Sequence, residues 1–235
     1  MDDTVADLVF RPRPTAERPL LGLTVLVVED SRYASEALRL LCLRSGARIR
    51  RADCIASAER HLNVYRPAIG IIDLGLPDGS GLDLLRTMNA MQPRVPILLG
   101  TSGAERETAA GEAMAAGADG FLPKPVESLA AFQAAVLAHV PDDMKPKFPR
   151  AADTTVLAPD LLSFREDLSH AMDLLALDAP PVGYLRRFLL GLARSAHDTA
   201  LEECALGLGD TVGPVDRSIL RAFLSQRIRA MPMAI

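Results

Sequence analysis

Apolar residues fall first into short runs separated by helical stretches, and later into helical stretches alone. From Leu23 the run "LTVLVVED" is dense in Val and Leu, as suits a strand buried on both faces of a parallel sheet. "RYASEALRLLCLRSG" follows with apolar positions three and four apart and Gly46 as its stop. The alternation then repeats. "ARIRRA", "AIGIID", "VPILLGTS" and "DGFLPK" predict four more strands, the first of them less apolar and nearer an edge. "IASAERHLNVY", "GLDLLRTMNAM", "ERETAAGEAMAAG" and "SLAAFQAAVLAHV" predict the helices that follow them. Together these predict an α/β fold, a doubly wound five-stranded parallel sheet with right-handed crossovers.

The strand pattern stops after Val140. "PDDMKPKFPRAADTTVLAP" carries four prolines and little periodicity, and reads as a linker. Beyond it only amphipathic helices are expected. One places Leu161, Phe164, Leu168, Met172 and Leu175 on a single face, and the next places Leu185, Phe188, Leu189 and Leu192. "TALEECALGL" is a shorter helix, and the last aligns Leu220, Phe223, Leu224 and Ile228. The expected organisation is therefore an arm over 1–21, an α/β domain over 22–140, a linker over 141–159 and a small all-α domain over 160–235. The arm, with "FRPRPTAERPL", is read as mobile or as a strap lying on the surface.

Charge narrows the partners. The 235 residues hold 26 basic against 30 acidic side chains, which argues against holding nucleic acid or anionic membrane by bulk electrostatics. Residues 151–235 hold eight basic and eleven acidic residues; Arg217, Arg221, Arg227 and Arg229 read as a solvated helix face, so nucleic acid is not an expected partner. Cys42, Cys54 and Cys204 show no metal-ligand spacing and suit a reducing compartment. The acidic start "MDDTVADLVF" is no secretory signal, and no apolar run approaches a membrane span, so a cytoplasmic protein is expected.

The polar residues at the strand ends supply the chemistry. Glu29 and Asp30 end the first strand, Asp73 the third, Thr101 and Ser102 the fourth, and Lys124 the fifth. In a doubly wound sheet these ends converge on one cleft. Three close carboxylates resist ionisation without a cation between them, and hard oxygen ligands suit magnesium. Such a metal, flanked by a hydroxyl and an ammonium, is a site for a phosphoryl group, with an aspartate as nucleophile. Each residue alone has a plainer reading: Glu29 and Asp30 as caps of the first helix, Thr101 as a satisfied hydroxyl, Lys124 as a surface cation, Phe121 as static core.

"VLVVEDS", "GIIDLGLPDGSGLDLL", "VPILLGTSG" and "AGADGFLPKPV", in this order, resemble the receiver domain of bacterial two-component response regulators over residues 23–140. The resemblance implies a flavodoxin-like fold with Asp73 as phosphoacceptor and Asp30 as a magnesium ligand. It implies Glu29 assisting through the metal or its waters and the Gly75 backbone carbonyl completing the coordination. It implies that Thr101 and Lys124 bind the phosphoryl group and that Phe121 is a switch aromatic. Glu29, Gly100 and Pro123 stand where the family more commonly has other residues. A sensor histidine kinase or a phosphotransfer protein is the implied donor.

The helical domain matches no output type. It is expected to form a homodimer or bind a protein target, held or released by the face of the fourth and fifth helices. The alternatives are a DNA-binding transcriptional regulator with an atypical output domain, and a phosphorelay intermediate using His170 or His197. Neither histidine is followed by the lysine and glycine usual at phosphotransfer sites.

Overall fold

The computed structural model describes residues 13–147, 160–209 and 211–231; residues 1–12 of the expected arm and 148–159 of the expected linker lie outside them. The chain runs β1 (Thr24–Val28), α1 (Arg32–Arg44), β2 (Arg48–Ala52), α2 (Ile55–Val64) and β3 (Ile69–Asp73). It continues through β4 (Gly75–Leu76), β5 (Gly79–Ser80), α3 (Gly81–Ala90), β6 (Ile97–Ser102), α4 (Arg106–Ala115), β7 (Gly120–Pro123) and α5 (Leu129–Leu137). The main sheet has five parallel strands in the order β2-β1-β3-β6-β7. β4 and β5 form a two-residue antiparallel hairpin where the sequence predicts only a turn.

The strand chemistry explains the order. β3 is buried at every position and lies at the centre, whereas β2, with three arginines, leaves most of its residues exposed at one edge. Leu38, Leu41 and Phe132 of α1 and α5 fill one side of the sheet; Leu62, Leu84, Leu85 and Met88 of α2 and α3 fill the other. Gly46 ends the α1 turn with φ of 85°, a left-handed conformation that residues with a Cβ resist. Just before β1, Leu20 is fully buried and its amide donates to the Ser45 carbonyl at 2.8 Å, so the described end of the arm is a strap.

A 3₁₀ turn (Asp142–Met144) and, among the described residues, four α-helices follow: α6 (Leu161–Ala176), α7 (Val182–Ser195), α8 (Thr199–Leu206) and α9 (Pro214–Ala230). Phe164, Leu168, Leu175, Leu185, Phe188, Leu189, Leu192, Leu220 and Leu224 are buried together, while Met172, Phe223 and Ile228 pack at the margin. Leu161 departs from the expected face and stays half exposed, as does Leu162 beside it in the first turn. Leu168 is fully buried, so Leu168→Ala is expected to destabilise this unit by about 3 kcal/mol in urea unfolding.

The helical unit packs chiefly on α1, with α7 also against β4, rather than on the face of α4 and α5 as the sequence led us to expect. The reason lies in two residues. Tyr33 of α1 joins the helical core, its ring edge-on to Phe164 at 5.5 Å between centroids. Asp167, buried on the apolar face of α6, finds its hydrogen-bond donors at the start of α1. Among the described residues no helix is long and apolar enough to cross a membrane.

Candidate functional site

The carboxyl ends of β1, β3 and β7 converge. One carboxylate oxygen from each of Glu29, Asp30 and Asp73 lies within 4.8 Å of the others. Lys124 Nζ sits 2.7 Å from Asp73 Oδ2 and 2.6 Å from Glu29 Oε2. Thr101 lies opposite Asp73 in the register of β3 and β6, and its buried Oγ1 has no hydrogen-bond partner among the described residues. A buried hydroxyl left unpaired is costly, and an incoming oxygen would satisfy it. Ser102 lines the cavity above the carboxylates.

Burial dominates the electrostatics. It raises the Glu29 carboxyl well above its ordinary range, with Lys124 opposing and Asp73 and Asp30 adding repulsion. Asp30 is pushed up to about 7, first by burial and then by the charge of Asp73. Burial also works against the Lys124 ammonium, but Asp73 and Glu29 outweigh it and hold that pKa above the usual lysine value. These three carboxyls, with their hard oxygen atoms, therefore resist ionising together beside a single ammonium, and a cation between them would favour their charged forms.

Local structure fixes the loop after Asp73. The Gly75 amide donates to Asp73 Oδ1 at 3.2 Å. Asp78 accepts from the amides of Ile55 and Ala56 at 2.8 and 3.0 Å, pinning the hairpin to the start of α2. Ser80 caps α3. Gly100 has its own cause: a Cβ there would lie 2.7 Å from Ala113 Cβ and 3.3 Å from Phe121 Cδ2, so α4 and Phe121 occupy that space. Phe121 itself is half-buried against the core of that face of the sheet.

Glu29 and Asp30 do not cap α1 as their plainer reading supposed; Ser31 does, accepting from the Ala34 amide. Asp167 reinforces it from the helical unit, accepting from Ser31 Oγ at 2.7 Å and from the amides of Arg32 and Tyr33 at 2.9 and 3.0 Å. A carboxylate at a helix start is favoured by the dipole as well as by those donors.

Residues of α7 complete the surroundings, and sequence reasoning missed them. The Tyr184 hydroxyl donates to Asp30 Oδ2 at 2.5 Å. Arg194 donates to the Gly103 carbonyl. Gly103 and Gly191 are so close that a Cβ on Gly103 would lie 2.6 Å from Gly191 Cα. Arg187 crosses Gly75 and lines a cavity of about 490 Å³ shared with Glu29, Asp30, Asp73 and Lys124. The usable signal was Asp167, an acid at an apolar position of α6; nothing in "VGYLRR" marks Tyr184 apart from its neighbours.

Of the two candidate histidines, His170 lines a neighbouring cavity that also reaches Glu29, Asp30 and Tyr184. His170 is exposed and edge-on to Phe188, 5.5 Å between centroids. His197 follows the end of α7 with φ of 54°, a left-handed position that histidine tolerates better than most residues. Of the arginines on α9, Arg217 donates to the carbonyls of Leu177 and Asp178, Arg227 pairs with Asp198, and Arg229 bonds its own helix.

Residues 25–136 match the family model described as the response regulator receiver domain, which ends before α6. "Virulence transcriptional regulatory protein PhoP" of Shigella flexneri is 35% identical over 103 residues, covering 44% of this chain and 46% of the relative. "Transcriptional regulatory protein PhoP" of Escherichia coli (strain K12) matches with the same identity and coverage. The chain spans about half the length of these curated relatives. The solved chemotaxis response regulator CheY4 of Vibrio cholerae is 19% identical with a TM-score of 0.47, covering 50% of this chain and 98% of its own. The relatives' names leave the expectation against nucleic acid without support.

Proposed function

Because residues 25–136 form a response regulator receiver domain, we propose that the chain is a phosphorylation-controlled signalling switch with Asp73 as its phosphoacceptor. The observation that carries this reading is Asp73 paired with the Lys124 ammonium and set opposite Thr101, whose buried hydroxyl has no hydrogen-bond partner among the described residues. An Asp73 oxygen attacks the phosphorus of the donor, and the bond from phosphorus to the donor's imidazole nitrogen or acyl oxygen breaks, leaving an acyl phosphate. Lys124 then pairs with a phosphoryl oxygen and Thr101 donates to another. Phe121 is the aromatic that responds when Thr101 is engaged.

Glu29, Asp30, Asp73 and the Gly75 carbonyl would hold magnesium, which supplies charge neutralisation for the incoming phosphoryl group. The donor is a sensor histidine kinase or a phosphotransfer protein. The protein is a switch rather than an enzyme with a separate substrate, and it acts in the cytoplasm. The units are the strap, the receiver over 22–140, the linker over 141–159 and the helical unit over 160–235. Output runs through protein contact by the helical unit, in a homodimer or with a target. Val215 and Ile219, one turn apart on α9 and 70% and 63% exposed, support that reading.

Acetyl phosphate with magnesium is expected to add one base-labile phosphoryl group, and chelating the metal beforehand is expected to prevent its addition. No incorporation under those conditions sinks the reading. A second reading, a transcriptional regulator, is favoured by the names of the relatives. A mobility shift on random DNA at low salt separates the two, since contacts to phosphate strengthen as salt falls.

A further inference from the structure

We infer that Tyr184 of the helical unit is a positioning residue of the cation site, holding Asp30 for a divalent cation and thereby coupling cation binding to docking of the helical unit. This rests on the reading of Glu29, Asp30 and Asp73 as cation ligands. The first observation is the contact itself. Tyr184 is 9% exposed, and its hydroxyl donates to one oxygen of Asp30. A carboxylate offers lone pairs on both oxygens, so that bond fixes its orientation and leaves the other oxygen for a ligand. Hydrogen bonds of this kind around a ligating carboxylate orient it and tune its affinity.

The second observation separates positioning from blocking. If α7 occluded the site, its side chains would fill the space above the carboxylates. Instead a cavity of about 490 Å³ remains between α7 and Asp73 with the helical unit docked. Water takes about 30 Å³ per molecule, so the chamber has room for a hydrated cation and a phosphoryl group together. Its roof adds positive charge. Arg187 lines the cavity and has no ion-pair or hydrogen-bond partner among the described residues.

The third observation is that the placement of Tyr184 does not depend on Asp30. Asp167 on the start of α1, Arg194 on the Gly103 carbonyl and the close backbone contact of Gly103 with Gly191 anchor α6 and α7 independently. The hydroxyl is therefore presented to Asp30 by a fixed frame, as a preorganised site requires. Coupling of this kind is reciprocal: a docked unit that favours the cation is itself held more firmly when the cation is bound.

The test is magnesium titration of the full chain by calorimetry, wild type against Tyr184→Phe. The variant removes one oxygen and keeps the ring. Its magnesium dissociation constant is expected to rise about tenfold, and its gain in melting temperature with magnesium is expected to shrink. An unchanged constant makes Tyr184 packing alone and overturns the inference. A tighter constant makes the hydroxyl a competitor for the site and also overturns it. Wild type that binds no magnesium sinks the reading of the carboxylates as well, so the two failures are distinguishable. Asp167→Asn loosens the docking without touching Asp30 and serves as the second variant. A smaller loss of magnesium affinity is expected there, and none would overturn the coupling.

Discussion

Asp73→Asn is expected to reduce incorporation from acetyl phosphate to background, because an amide cannot form the acyl phosphate. Intact mass after incubation with the donor and magnesium reads the result directly. The substitution should not unfold the chain. Lys124 keeps its 2.6 Å partner in Glu29, and losing the Asp73 charge removes repulsion on Asp30 and Glu29. The variant should therefore melt no lower than wild type, which separates loss of the acceptor from loss of the fold. Labelling that persists in Asp73→Asn places the acceptor elsewhere, with Glu29 and Asp30 the neighbouring carboxylates to examine next.

The receiver was legible because each level of its sequence points the same way. Buried strands read as Val and Ile runs, Gly46 marked a helix end that needs positive φ, and polar residues stood at the strand ends. The helices beyond residue 160 were legible as elements, since Leu185, Phe188, Leu189 and Leu192 repeat at helical spacing and are all buried. Their position against the receiver was not. It depends on Asp167 meeting the start of α1 and on Arg194 meeting the Gly103 carbonyl, contacts 134 and 91 residues apart in the chain. Periodicity carries no information about such pairs. An acid on an apolar stripe signals only that a buried partner exists, not which one.

Gly81→Ala is expected to cost about 3 kcal/mol and to lower the melting temperature by about 10 °C. Gly81 follows the Asp73 loop but does not adopt positive φ. Its constraint is space. A Cβ there would lie 1.9 Å from the Asp73 carbonyl oxygen and 2.8 Å from both Asp73 C and Leu74 Cα. These are backbone atoms, so no side chain can swing aside. The Gly81 amide also donates to the Leu74 carbonyl at 3.1 Å, which holds the start of α3 against the loop after Asp73. Relief must push the end of β3 away from α3, and Asp73 with it, so phosphoryl incorporation should fall together with stability. Gly111 provides the control: it lies within α4, and a Cβ there meets nothing within 4 Å. Gly111→Ala should therefore stabilise by about 1 kcal/mol through helix propensity alone. A Gly81→Ala protein that melts with wild type and still accepts phosphate would show that the loop yields cheaply, and that the close approach of α3 does not hold Asp73 in place.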